Sequence, residues 1–449
     1  MQFNPQTLDN RFTKYLDCVN SSKTIKLHGR ITEVVGLLIE STGPAASVGE
    51  VCNLEENGRI VGRAEVVGFR KERTLLMPLG DVNNIHPGLI VTGTGRPLTI
   101  NASSDLKGRV LDGLGFPIDG KPLLKMGERR SVISAVPNPL TRKRISEPFH
   151  TGIKAIDSLL TVGKGQRMGI FAGSGVGKSV LLGMMARNCK SDINVIALIG
   201  ERGREVREFI ERDLGPEGLA RSIVVVATSD QPALIRIKGA LVAASIAEYF
   251  RDQGKDVLFM ADSITRLAMA QREIGLAVGE PPATKGYTPS VFSILPQFLE
   301  RAGNSDKGTI TGLFTVLVEG DDMDDPIADS ARSILDGHIA LSRRLASKNH
   351  YPAIDVLESI SRCMRDVVSD EHIQIASTIK DCMATYKENE DLVQIGAYMP
   401  GTNDKVDKAI KLNQPLISYL RQKVATACQF DKNIIELRQI AEKTGILNS

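Results

Sequence analysis

Ile170-Phe171-Ala172 runs into Gly173-Ser174-Gly175-Val176-Gly177-Lys178-Ser179, and a helical pattern begins near Val180. The spacing is that of a Walker A loop, with Ala172 where the first glycine usually stands. Glycines let successive backbone N–H groups converge on phosphate oxygens, and the helix that follows turns its positive dipole end to the same place. Lys178 is placed to reach the outer phosphates of a nucleoside triphosphate, and Ser179 offers a hydroxyl to Mg2+. Gly173, Ser174, Gly175, Val176, Gly177, Lys178, Ser179 and Val180 are therefore the expected nucleotide contacts. Gly-Lys-Ser alone is common in long chains; the preceding strand and following helix make this instance specific.

The same strand-then-helix order continues beyond the loop. Apolar strand candidates at Arg167 to Phe171, Val195 to Ile199, Ile223 to Ala227, Val257 to Ala261 and Thr311 to Val318 alternate with longer helical segments. That order predicts an α/β core with a mainly parallel sheet over 151–362. Ahead of it, residues 23–97 carry short alternating runs such as Ile31-Thr32-Glu33-Val34-Val35, punctuated by Gly29, Gly36, Gly49, Gly62 and Gly68. They predict a small β-barrel. Residues 98–150 read as a linker broken by Gly108, Gly113, Gly115, Pro117, Gly120, Pro137 and Pro139. After about Cys363 the strand signals stop and apolar residues recur at helical spacing, as in Leu416, Tyr419, Leu420 and Val424, predicting a helical domain over 363–449. Residues 1–22 set Leu8, Phe12, Tyr15, Leu16 and Val19 on one helical face that wants a partner, either the chain's own body, another protein or a membrane surface.

A formal net charge of +3 announces no nucleic acid or anionic membrane by electrostatics alone. The six cysteines form no C-x-x-C pair, so reduced thiols are expected rather than a zinc site or disulfides. With neither a signal-like N-terminus nor an apolar run of membrane-spanning length, a cytoplasmic location is expected.

Three further residues carry chemistry. Asp262 closes the apolar run Val257–Ala261, where a carboxylate at a strand's C-terminal end can hold a metal, through water, opposite Ser179; capping the next helix is its plainer role. Glu201 follows the strand ending at Ile199 and could polarise an attacking water, or belong to the charged run through Arg212. Arg362 lies far along the chain in Leu357-Glu358-Ser359-Ile360-Ser361-Arg362, free either to pair internally or to enter a neighbouring subunit's site.

Taken together, these features resemble the rotary ATP synthase catalytic subunits and, more closely, the type III protein-export ATPases. The resemblance rests on Asp262-Ser263-Ile264-Thr265-Arg266, Ala270-Gln271-Arg272-Glu273-Ile274, Gly279 through Tyr287, and Leu335-Asp336-Gly337-His338-Ile339. The flagellar form is favoured over the virulence injectisome by Tyr386-Lys387-Glu388-Asn389-Glu390-Asp391-Leu392 and Ile395-Gly396-Ala397-Tyr398. It implies Mg-ATP hydrolysis by a homohexamer that releases export substrates from chaperones and feeds them to an export gate at the inner membrane. It also implies Glu201 as catalytic carboxylate, Arg202 near the γ-phosphate, Arg362 as a finger acting in trans, and Tyr351 stacked on adenine. The acidic loop Glu319 to Pro326 would face a central stalk, and residues 1–22 a stator-like regulator. Two departures are Ala172, shared with the export branch, and Cys363 after the finger.

Two other classes compete with this reading. A ring motor on RNA would need stacking platforms, yet aromatic residues make up 4% of the chain and tryptophan is absent, so no specific nucleic acid is expected. A non-catalytic nucleotide-binding ring subunit would commonly carry Gln at position 201, where this chain has Glu.

Overall fold

The computed structural model describes residues 15, 27–81, 83–318 and 325–446. The amphipathic stretch 1–22, Tyr15 apart, and residues 319–324 of the acidic loop lie outside them. Two compact units divide at Leu98/Thr99.

In the first unit, β1 (His28–Val35), β2 (Leu38–Ser41), β3 (Glu50–Glu56), β4 (Arg59–Arg70), β5 (Arg73–Pro78) and β6 (Ile90–Pro97) close into a barrel in the order β1-β2-β5-β4-β3-β6. Side chains on the inward face, among them Ile31, Ile39, Leu54, Val66, Leu76 and Val91, fill its interior. Closure satisfies every strand edge, which is how so small an all-β body avoids exposing unpaired backbone.

The second unit opens with β7 (Thr99–Ala102), β8 (Val110–Asp112), β9 (Glu128–Ser131) and β10 (Pro148–Phe149). Its core then runs through α1 (Lys154–Leu159), β11 (Val162–Gly163), β12 (Arg167–Ala172), α2 (Lys178–Asn188), β13 (Ile193–Ile199), α3 (Gly203–Glu208), α4 (Gly215–Ala220), β14 (Ser222–Ala227), α5 (Ala233–Asp252), β15 (Asp256–Asp262) and α6 (Ile264–Val278). It continues with α7 (Pro289–Leu299), β16 (Gly303–Asn304), β17 (Thr309–Leu317), α8 (Pro326–Ile334), β18 (Gly337–Leu341), α9 (Arg343–Ser347) and β19 (Ile354–Ser361). The sheet order is β19-β18-β12-β17-β15-β13-β14-β8, with β16 paired to β17. All pairings are parallel except β18 with β19 and β16 with β17. Strands β13 and β14 are buried at every position, as the apolar runs Val195–Ile199 and Ile223–Ala227 covered on both faces must be, and the polar Asn194 and Ser222 are hydrogen-bonded to each other. The expected barrel, mainly parallel α/β core and helical C-terminal region are all present.

One expectation fails in detail. The stretch 98–150 is more than a linker, because β8 adds an edge strand, Val110, Leu111 and Asp112 pairing with Val224, Val225 and Val226. Three residues are too few to show a strand period, and the glycines at 113 and 115 mask them. Tertiary contact holds the segment instead: Arg109 Nε donates to Asp119 Oδ2 at 2.7 Å, with both side chains buried.

The helices α10 (Met364–Val367), α11 (Asp370–Gln394), α12 (Asp404–Leu420) and α13 (Phe430–Lys443) belong to the same compact unit as the sheet. Ile375, Ile379, Leu412, Leu416, Tyr419 and Leu437 share one apolar cluster with Ile156, Met168 and Ile170. Polar ties fix the contact: Tyr419 Oη donates to Asn433 O at 2.9 Å, and Gln422 Nε2 donates to Gly152 O at 2.9 Å.

Candidate nucleotide site

β12 ends at Ala172, and the chain turns through Gly173 to Gly177 into α2. Gly177 carries φ +93°, a left-handed backbone open to glycine at little cost, and it caps the helix that starts at Lys178. Gly173 and Val176 are buried, Ser174 and Gly175 are exposed, and Lys178, Ser179 and Val180 are half-buried in the first turn. A methyl group added at Gly177 would stand 3.5 Å from Tyr351 Cε1, so the Tyr351 ring lies against the loop. Tyr351 is 42% exposed, which leaves part of its ring open, and its carbonyl accepts from Gln422 N at 2.9 Å.

Three strand ends meet behind the loop. Lys178 Nζ donates to Asp262 Oδ1 at 2.5 Å and to Glu201 Oε1 at 3.2 Å, with all three side chains largely buried. Asp262 is paired across the sheet with Leu198, so β13 and β15 deliver Glu201 and Asp262 to the same end. Ser263, not Asp262, caps α6, its Oγ accepting from Arg266 N at 3.4 Å. That removes capping as the reason for Asp262. Ser179, Glu201, Glu205 and Asp262 line one narrow cleft.

Electrostatics around Lys178 are lopsided, two carboxylates facing one ammonium, while Glu205, the cleft's third, pairs with Arg202. Burial, with the Asp262 charge and a Glu205 hydrogen bond acting in the same sense, pushes the Glu201 carboxyl up to about 7 against the pull of Lys178. Burial also works against the Lys178 ammonium, but Asp262 and Glu201 outweigh it and hold its pKa above the ordinary lysine value. A polyanion entering here would exchange carboxylates for phosphates around Lys178.

Arg362 is elsewhere. Ala172 pairs with Leu341, which pairs with Ile354 at the start of β19; Arg362 follows the other end, where Ser361 pairs with Gly337. Because β19 runs antiparallel, Arg362 sits about 15 Å back along the strands and two strand spacings, about 10 Å, across the sheet from the loop's origin. It is exposed, and among the described residues its side chain donates only to Arg332 O, from Nη2 at 3.5 Å. Arg202 does not face the cleft either: its side chain is 82% exposed and meets Glu205 at 3.6 Å.

Family models match in chain order: the ATP synthase alpha/beta family β-barrel domain over 31–95, that family's nucleotide-binding domain over 152–361, and the T3SS EscN ATPase C-terminal domain over 368–439. The flagellum-specific ATP synthase of Bacillus subtilis (strain 168) is 53% identical over 428 residues, covering 95% of this chain and 98% of its own length. The assembled ATPase EscN of the enteropathogenic E. coli type III secretion system superposes with a TM-score of 0.87 at 45% identity, covering 92% of this chain and 99% of EscN. EscN in complex with its central stalk EscO superposes at 0.85 and 44% identity, with the same coverage. The chain belongs to the type III protein-export ATPases.

Sequence reasoning passed over two groups on the strand and helix that border this export ATPase's cleft. Arg266, on the first turn of α6, has a buried Nε without a hydrogen-bond partner among the described residues, and its stem packs where a Cβ on Gly200 would fall, 2.8 Å from Arg266 Cβ. Its signal was an arginine one helical turn after Asp262, which places it beside the carboxylate strand end. Thr315 donates to Asp262 Oδ1 at 2.7 Å. Its signal was a lone hydroxyl inside the apolar run Leu313–Val318.

Proposed function

We propose that this export ATPase hydrolyses Mg-ATP at sites completed between like subunits of a homohexamer, in the flagellar export system. The flagellar reading is preferred because identity to the flagellum-specific relative, 53%, exceeds the 45% to EscN. The observation that carries the shared site is the separation of Arg362 from its own loop: an exposed guanidinium at the far end of the sheet is useful to a nucleotide only on another subunit.

The chemistry follows from the cleft. N–H groups of Gly173 to Val180 and the Lys178 ammonium bind the phosphates, and the Tyr351 face takes the adenine. The cation donors are all oxygen, Ser179 directly and Asp262 through water, and no cluster of three His, Cys, Asp or Glu occurs among the described residues. That set suits Mg2+, which keeps several waters and phosphate oxygens, and excludes a soft-metal site. When bound, Mg2+ supplies neutralisation of charge on the β- and γ-oxygens. Glu201 orients the attacking water and takes its proton as the water oxygen bonds to the γ-phosphorus and the bond to the β–γ bridging oxygen breaks, releasing ADP. A carboxyl that titrates near neutral pH suits that exchange. Arg202 turns inward from solvent towards the γ-phosphate, and Arg266 is a further candidate for it. Arg362 of the adjacent subunit neutralises the transferring group, worth about 10³ to 10⁵ in rate.

Cyclic closure of these sites releases cargo from chaperones and delivers it to a membrane export gate. A central stalk, as in the EscN–EscO complex, contacts the acidic loop, and a stator-like regulator contacts residues 1–22. No helix among the described residues is long and apolar enough to cross a membrane, in keeping with a cytoplasmic ring docked peripherally on the inner membrane.

Arg362→Ala and Lys178→Ala should each be inactive alone. Mixed one to one, about a quarter of random interfaces pair an intact loop with an intact finger, so activity should return towards that fraction. Rings demonstrated to be mixed that stay inactive would refute a site shared in trans.

A further inference from the structure

Thr315 lies near the C-terminal end of β17, which is otherwise apolar from Leu313 to Leu317, and is completely buried. A hydroxyl there costs stability unless it is hydrogen-bonded. It is bonded: Oγ1 lies 2.7 Å from Asp262 Oδ1 and 3.4 Å from Ala261 O, so its single hydrogen goes to the carboxylate. β15 and β17 are neighbours in register, Ala261 opposite Phe314, which sets the hydroxyl beside Asp262 by backbone pairing alone.

Lys178 Nζ donates to the same Oδ1 at 2.5 Å, whereas Oδ2 accepts no hydrogen bond among the described residues. Both protein donors therefore satisfy one oxygen and leave the other for the cleft that Asp262 shares with Ser179 and Glu201. Once phosphates draw Lys178 away, Thr315 is the protein donor remaining on Oδ1. The terminal torsion of an aspartate is soft, so a carboxylate without that bond could rotate and present either oxygen in several directions.

We infer that Thr315 is a positioning residue for the metal site: its hydroxyl orients the Asp262 carboxylate so that Oδ2 faces the metal-bound water. The inference rests on the reading of Asp262 as the metal carboxylate. Thr315→Val keeps the shape and removes the donor; Thr315→Ser keeps the donor.

Mn2+ titrated into the ADP-loaded full chain and followed by EPR reads metal affinity without turnover. Metal-free ADP binding, thermal midpoint and the Mg2+ concentration for half-maximal ATPase are read alongside. Thr315→Val should weaken Mn2+ by about tenfold and raise the Mg2+ requirement in parallel, the loss of a hydrogen bond to a charged group. Thr315→Ser should stay within about twofold of wild type, and metal-free ADP binding should not change. Should the Val variant fail to fold, Thr315→Ala carries the same expectation. Asp262→Asn separates the two readings. If it loses Mn2+ while Thr315→Val binds normally, or if Ser is as weak as Val, the positioning role is overturned; if Asp262→Asn binds Mn2+ normally, the metal reading of Asp262 falls and this role with it.

Discussion

Replacing Glu201 by Gln should abolish turnover and at the same time make the nucleotide-free protein more stable above neutral pH. The carboxyl sits in a buried cleft beside Asp262, and its pKa is carried from 4.5 to about 7 despite Lys178 at 3.2 Å. A folded state that raises a carboxyl pKa binds its proton more tightly than the unfolded chain does. The resulting stability is complete below about 4.5 and is lost as pH rises through about 7. An elevation of that size corresponds to ~3 kcal/mol at about pH 8, shrinking to ~1 kcal/mol near pH 5.5, where the folded-state carboxyl is already mostly protonated. Gln is nearly isosteric with the protonated acid and does not titrate, so it escapes this loss. Glu201→Gln should therefore melt several degrees above wild type at about pH 8, and the gap should narrow on acidification. Differential scanning calorimetry without nucleotide at the two pH values measures the gap, and phosphate release measures turnover. Equal melting at pH 8, or a gap that widens as pH falls, would refute the account of the cleft as over-supplied with negative charge. Wild-type-like hydrolysis would remove Glu201 from the chemistry.

Tyr351→Ala should weaken ATP binding by about tenfold through lost stacking while kcat changes little, and Tyr351→Phe should bind normally; equilibrium titration with a fluorescent ATP analogue distinguishes this from a phenol that only fills space. Deleting residues 1–20 should abolish capture by the stator-like regulator and leave the folded barrel and core intact by circular dichroism and calorimetry; unchanged capture in a pull-down would place that contact elsewhere.

Features that are local in sequence were legible in it. A loop of glycines ending in Lys178-Ser179 must sit between a strand and a helix, and unbroken apolar runs such as Val195–Ile199 must be buried on both faces, so the α/β core and the loop at the end of its strands could be read directly. Asp262 was legible for the same reason, a carboxylate where such a run stops. The three-residue strand β8 was not, because its evidence is its partner β14 and the Arg109–Asp119 bridge, neither of which leaves a period in the chain. Nor was the packing of α11 to α13 onto the sheet's own unit, which depends on contacts such as Gln422 with Gly152.

What the amino-acid order determined alone was the chemistry available: a phosphate cradle, an ammonium, two carboxylates and a stray arginine. Tertiary structure decided which of these groups share a low-dielectric space, and with that their charge states. The Glu201 carboxyl is pushed up first by burial in the assembled cleft, and then by the Asp262 charge that a strand far away in the chain brings beside it. Antiparallel β19 carries Arg362 to the end of the sheet away from its own loop. The burial of these polar groups and the direction of β19 are properties of the assembled sheet, and no local run of residues encodes either.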